Sequence, residues 1–197
     1  MLQFGEMSTT ARQVHYTYAE YVAMEEASSI RHEYLDGEIY AMAGGSPDHA
    51  ALAAAIIARL SPQLPPGYRV FTSDLRVRIP ATGLSTYPDA AVIYGRTVRA
   101  SDDALAVVNP VILVEVTSDS TEAYDRGGKL NHYHQLPSVG YVLIASHREP
   151  RLTLHEREKE GWSTTDTRSG ETVALADLSV RLAVDEVYRG GLEDRVG

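Results

Sequence analysis

The chain predicts a mixed α/β fold, a layer of mixed sheet with helices packed on it. Three observations carry this. The runs Tyr87 to Tyr94 and Pro110 to Thr117 are apolar on both parities, which marks central strands covered on both faces. The stretch His49 to Leu60 is rich in alanine, leucine and isoleucine and reads as a helix lying against that sheet. No repeat, low-complexity tract or linker divides the 197 residues, a length that suits one domain with its own core.

Taken in order, residues 1–15 are expected to be a mobile segment without the basic-then-apolar layout of a signal peptide, ahead of one domain over 16–190. Thr17-Tyr18-Ala19-Glu20 is a capping-box pattern that opens a helix from Tyr18 to Glu26. Asp36-Gly37 between Arg31 to Leu35 and Glu38 to Met42 signals a hairpin. Ser46 caps the next helix, Pro47 suits its first position, and Pro62, Pro65, Pro66 and Gly67 end it. Tyr68 to Ile79 reads as one strand, with Leu75, Val77 and Ile79 buried and Asp74, Arg76 and Arg78 on a polar, solvated face. Pro80 to Ser85 reads as a turn and Gly95 to Ala106 as a polar connection.

A helix is expected from Glu122 to Gln135 despite Gly127-Gly128, which cost roughly 1 kcal/mol each against alanine and imply close approach to a sheet or ligand. Tyr141 to Ala145 is another buried strand. Arg151 to Glu158 and Trp162 to Arg168 form a small antiparallel addition, and Leu178 to Val187 closes the chain.

Composition narrows the chemistry. Without cysteine there is no disulfide, thiolate metal site or cysteine nucleophile. No apolar run is long enough to span a bilayer. Gly44-Gly45-Ser46 is not followed by a phosphate-loop lysine, and no nucleophile elbow or dinucleotide fingerprint is present. A net charge of −9 argues against tight binding of nucleic acid, whose partners usually carry a basic footprint.

The informative residues are polar ones inside apolar runs. Asp89 opens one central strand and Glu115 closes the next, and a buried carboxylate is costly unless a cation or donors compensate it. If the strands are neighbours, both acids can meet at one edge of the sheet, and hard divalent ions such as magnesium prefer carboxylate and water oxygens, usually with only one or two protein carboxylates. Asp125, Lys129 and Tyr133 fall along one helical stripe that folds back toward Glu115. The competing explanation for Lys129 is a solvent-exposed pair with Asp125. Those for Glu115 and Asp89 are an arginine partner and a simple turn cap. His49, in the first turn of its helix, could meet a phosphate or be a satisfied boundary residue. Arg76 and Arg78 could meet a nucleic-acid backbone. Glu33, Asp36 and Glu38 are acidic neighbours in the hairpin, of which one could reach a metal. His132 and His134 point to different sides of a helix and cannot chelate together.

On these residues the chain resembles the restriction-endonuclease-like superfamily, whose signature is Pro-Asp followed by Asp/Glu-X-Lys. More narrowly it resembles the bacterial Uma-two family of endonuclease-like proteins, over about Tyr16 to Tyr188. The match rests on Glu33-Tyr34-Leu35-Asp36-Gly37-Glu38, then Met42-Ala43-Gly44-Gly45-Ser46 with His49, Pro88-Asp89, Val114-Glu115-Val116 with Ser118 and Ser120, Asp125, Lys129, Tyr133 and the strand at Tyr141.

The resemblance implies a restriction-endonuclease-like core, a central mixed sheet flanked by helices, with an added N-terminal hairpin and C-terminal antiparallel strands. It implies a metal-dependent endonuclease that hydrolyses phosphodiester bonds in DNA. Asp89, Glu115 and the carbonyl of Val116 would hold Mg2+, with Mn2+ able to substitute, and Lys129 would orient or activate the attacking water. His49, Arg76, Arg78 and Tyr133 are candidate substrate contacts, and Glu33 and Glu38 candidate accessory acids. Weak DNA binding, a homodimer, a cytoplasmic location and no membrane association are expected. The chain departs from the superfamily at Thr117, where the lysine would normally stand; Lys129 on the following helix takes its place. The alternatives are a nuclease-fold binding or regulatory module without turnover, and a hydrolase of small phosphoesters.

Overall fold

The structure is a computed structural model that describes residues 14–42 and 44–189. The segment expected to be mobile lies, up to residue 13, outside the described residues.

The N-terminal elements form as their sequences dictate. In α1 (Tyr18–Ala27) the Thr17 hydroxyl accepts from the Glu20 amide, and the Glu20 carboxylate accepts from the Thr17 amide at 2.7 Å. β1 (His32–Leu35) and β2 (Glu38–Ala41) make the hairpin, with Asp36 and Gly37 at φ 49° and 85°. Positive φ at both positions gives a turn whose twist matches that of the strands. α2 (Pro47–Leu60) is capped by the Ser46 hydroxyl and buries Leu52, Ile56 and Leu60, one stripe of its surface.

The chain then alternates between two sheets. It runs through β3 (Tyr68–Thr72), β4 (Arg76–Ile79), β5 (Leu84–Thr86), β6 (Ala90–Tyr94), β7 (Arg99–Ala100), β8 (Asp103–Val107) and β9 (Pro110–Val116). A helical segment follows in three stretches: α3 (Glu122–Tyr124), a π-helical turn (Asp125–Lys129) and α4 (Leu130–His134). β10 (Tyr141–Ala145), β11 (Arg151–Glu158), β12 (Gly161–Arg168), β13 (Thr172–Leu175), β14 (Val180–Ala183) and α5 (Val184–Val187) complete it.

One six-stranded sheet has the order β2-β1-β5-β4-β8-β7; the other, which contains both central strands, has the order β12-β11-β10-β9-β6-β3. In the second sheet β9 pairs parallel with β10 and antiparallel with β6. One face carries α2, the β13–β14 hairpin and α5 over Val92, Ile112, Val114 and Leu143. The opposite face packs Ala91, Leu113, Val142 and Ile144 against Val77, Ile79 and Leu84 of the first sheet and against Leu130, Tyr133 and Leu136 of the helical segment.

Several expectations are corrected. The single sheet layer is two six-stranded sheets, packed in part face to face, with β13 and β14 as a separate two-stranded sheet. The single strand Tyr68 to Ile79 is broken: the Leu75 amide donates to the Thr72 carbonyl at 3.1 Å, the closure of a tight turn, and β3 and β4 enter different sheets. Alternation continues across that turn, so periodicity alone hides it. The polar connection Gly95 to Ala106 contains β7 and most of β8, and β5 begins inside the expected turn. β11 and β12 are the expected antiparallel addition, joined to the edge of the central sheet, whereas β13 was not anticipated. Arg76 and Arg78 are not solvated, with 5% and 7% of their surface exposed.

Candidate active site

The site lies at the carboxyl end of β9. Because Ala90 stands opposite Val114 in the antiparallel β6–β9 pair, the residue before β6 falls beside the end of β9. That residue is Asp89, and its Oδ2 accepts from the Val116 amide at 2.7 Å. Glu115 projects to the face covered by the helical segment. There the Tyr133 hydroxyl donates to its Oε1, and Lys129 Nζ stands 3.1 Å from the same oxygen. The ammonium also pairs with Glu33 Oε1 at 2.9 Å and lies 3.9 Å from Asp125 Oδ1. Glu33 comes from β1 of the other sheet, and its Oε1 accepts from the Thr86 hydroxyl at 2.5 Å.

Lys129 is 5% exposed and Asp125 3%, so they are not a surface ion pair. The π turn carries both. Such turns occur mostly as single bulges within helices, often at functional sites. It sets Asp125 and Lys129 over the sheet while α4 carries Tyr133 onto the same carboxylate.

Burial sets the electrostatics. It pushes the Glu115 carboxyl well above the usual carboxylate range; Lys129 opposes this, and Asp89 and Asp125 add to it. Burial also raises Asp125, again against Lys129. Burial disfavours the Lys129 charge, but Glu115, Tyr133, Glu33 and Asp125 together outweigh it and keep the group a cation. His49 Nε2 is 3.4 Å from Asp89 Oδ2, and that carboxylate raises the imidazole above its ordinary value.

The structure therefore brings together Asp89, Glu115, Lys129, His49, Tyr133 and Glu33. Arg76 and Arg78 are committed elsewhere. Arg76 donates to Asp103 at 2.7 Å and to the Tyr87 hydroxyl at 2.9 Å. Arg78 pairs with Asp102 at 3.2 Å and stacks 3.6 Å from the Tyr18 ring. Both guanidinium groups serve the first sheet, which corrects their reading as a basic strip open to substrate. The Glu38 carboxylate accepts from the Tyr40 hydroxyl. Asp125, read as part of the stripe with Lys129 and Tyr133 and of the family match but given no role in the site, is a buried member of the cluster. Thr117, at the position of the usual lysine, is buried, and its hydroxyl bonds His147 Nδ1 at 2.8 Å.

Among the described residues no three His, Cys, Asp or Glu side chains form a ready metal cage. The donors present are of another kind: two carboxylates, Asp89 and Glu115, and the carbonyl of Val116. Magnesium is usually held by one or two carboxylates and keeps several waters. The charge balance also favours a cation, because Glu33, Glu115 and Asp125 share one ammonium, Asp89 adds further negative charge near Glu115, and burial makes that excess costly. The residues fit a hard divalent ion.

Residues 18–185 match the model of the Uma2 family, described as "Putative restriction endonuclease". The chain belongs to the Uma2 family. Two Synechocystis proteins, both uncharacterized, are relatives. Protein slr1290 is 34% identical over 173 residues, 87% of this chain and 90% of that protein. Protein sll1609 is 35% identical over 132 residues, 65% of this chain and 73% of that protein. A crystal structure from Anabaena variabilis, titled as a "putative nuclease belonging to DUF820", superposes with a TM-score of 0.64 at 17% identity. It covers 82% of this chain and 92% of its own, and it establishes the restriction-endonuclease-like fold of this Uma2 protein. No helix among the described residues is long and apolar enough to cross a membrane.

Proposed function

We propose that this Uma2 protein is a Mg2+-dependent endonuclease that hydrolyses phosphodiester bonds in DNA. The observation that carries the reading is the meeting of Asp89, Glu115 and Lys129 at the end of β9, from three separate elements. Family membership and the nuclease-like fold support it.

Asp89, Glu115 and the Val116 carbonyl would hold Mg2+, or Mn2+ in its place. Bound there, the ion would lower the pKa of the attacking water and offset charge developing on the phosphate. The Lys129 ammonium, held charged by Glu33, Glu115 and Asp125, would orient that water and favour charge on the phosphoryl oxygens. Tyr133 fixes Glu115, leaving the second carboxylate oxygen for the ion. The enclosing sheet faces exclude bulk water, which strengthens each of these charges. With a net charge of −9, affinity for DNA would be weak and dependent on the bound cation.

One observation favours a second reading, a nuclease-fold binding module without turnover: Thr117 stands buried where the superfamily's lysine would be.

One experiment decides between them. Supercoiled plasmid and single-stranded DNA are incubated with the purified protein in Mg2+ or Mn2+, beside Asp89→Ala and Lys129→Ala. Cleavage that drops by about 100-fold or more in both variants supports the nuclease, as loss of a charge-stabilising group does elsewhere. Cleavage unchanged in Asp89→Ala places the activity outside this site. No cleavage by the wild type, with metal bound in calorimetry, selects the binding module.

A further inference from the structure

Two tyrosines that the proposed chemistry does not use flank the Glu33–Lys129 pair. Glu33 and Tyr40 stand opposite each other in the antiparallel β1–β2 pair, so their side chains share one face of the hairpin. The Tyr40 hydroxyl donates to Glu38, which anchors the ring at its tip, and 49% of the residue stays exposed. Tyr124 ends α3, just before the π turn that carries Asp125 and Lys129. Its half-buried ring lies against Gly128, where a Cβ would come within 3.0 Å, so glycine leaves the ring that seat. Burial raises the pKa of the Tyr124 hydroxyl; Glu33 adds to the rise, Lys129 opposes it, and Tyr40 and Asp125 add again. The hydroxyl therefore stands within electrostatic reach of the ion pair and of Tyr40. One ring comes from the hairpin and the other from the helical segment.

Charge decides what such a pair of rings can hold. Duplex DNA is gripped chiefly by arginine and lysine on its phosphates. This chain carries a net charge of −9, Arg76 and Arg78 are committed inside the first sheet, and Lys129 is buried among carboxylates. A base in a duplex hides its face in the stack. An unpaired base offers that face to an aromatic side chain, an attraction that needs no cation and tolerates any sequence. We propose that Tyr40 and Tyr124 are stacking platforms for unpaired bases, and that the substrate of this site is single-stranded DNA, bound and cut in preference to duplex. The cutting rests on the nuclease reading of the site; the binding does not. Gly128 then has a part as the seat of one platform.

The test uses the full chain, a fluorescein-labelled oligonucleotide without self-complementarity, and the same strand annealed to its complement. Fluorescence anisotropy in Ca2+, which takes the same oxygen donors as Mg2+, gives the affinities. Initial rates in Mg2+ and Mn2+ give kcat and KM. The wild type should bind the single strand about tenfold or more tighter than the duplex, as two stacked bases allow. Tyr40→Ala and Tyr124→Ala should each weaken single-strand binding at least about fivefold, the lower end for losing one stacked base. They should raise KM rather than lower kcat. Tyr40→Phe and Tyr124→Phe should behave as the wild type. Because Tyr40→Phe also removes the bond to Glu38, a role confined to that hydrogen bond would show as a loss in the Phe variant. Equal affinity for the two DNAs overturns the proposal, as does no binding of either. So does single-strand binding that survives in Tyr40→Ala, an exposed position where folding is not at stake. Binding as proposed without cutting in either metal removes the nuclease reading and leaves the stacking platforms standing.

Discussion

Lys129 is a buried ammonium facing Glu33, Glu115 and Asp125. Removing one partner of a buried charge pair leaves the others uncompensated, which costs about 3–5 kcal/mol. Lys129→Met should lower stability by that amount in urea titration, a far larger loss than an exposed lysine would show. Tyr133→Phe should cost about 1–3 kcal/mol, because Glu115 loses a donor that no water can replace in a buried site. Asp89 and Glu115 were legible in the sequence because each interrupts an apolar run. Glu33 was less so: in the sequence it is one of three acids beside a turn, and only the pairing of β1 with β5 carries it to Lys129. Arg76 and Arg78 were misread because alternation reports which side chains share a face, not that Asp102, Asp103 and Tyr18 cover that face.

The helical segment is the element on which the site turns, and its two glycines are not equivalent. A Cβ at Gly128 would meet the Tyr124 ring at 3.0 Å, while at Gly127 it would meet nothing within 4 Å. Gly127→Ala should therefore stabilise the protein by about 0.5–1 kcal/mol, the usual gain for alanine over glycine inside a helix. Gly128→Ala should gain nothing or lose, as thermal denaturation of the pair will show. The sequence marked the glycines as costly and attributed them to a close approach to a sheet or a ligand. The structure shows instead that Gly128 lies under the Tyr124 ring of its own segment, and it supplies the π turn, which no periodicity announces. At the end of the same segment His134 stacks on Trp162, with ring centroids 4.0 Å apart, and Arg157 lies 4.4 Å from that indole. Burial, helped by His155 and Arg157, depresses the His134 pKa from 6.5 to about 4. Between those values the unfolded chain binds a proton that the folded chain refuses. This contribution to stability is thus whole above pH 6.5 and is lost as pH falls toward 4. His134→Phe keeps the stack and should flatten that part of the stability–pH curve.

Across the molecule, Asp89, Glu115 and Val116, the residues proposed to hold the metal, belong to the second sheet or its border, while the Arg76–Asp103 pair braces the first. Arg76→Met should destabilise the fold by about 3–5 kcal/mol by leaving Asp103 buried and unpaired. If the proposed metal site is right, the surviving folded fraction should match the wild type's metal affinity in calorimetry, because the partners of Arg76 are Asp103 and Tyr87 rather than Asp89 or Glu115. The sequence by itself determined the local structure: the capping box at Thr17, the Asp36-Gly37 hairpin, the Ser46-Pro47 helix start and the two central strands. Each of these depends on residues within one turn or one strand of each other. It also determined which polar side chains required an explanation, since an acid in an apolar run is improbable unless compensated. Only the tertiary structure decided that the strands divide between two six-stranded sheets and a separate hairpin, that two arginines lie buried between their partners, and that Glu33, Asp125 and His49 join the acids at the end of β9. Those outcomes are set by contacts between residues far apart in the chain, where burial and charge pairing, rather than local pattern, fix the free energy.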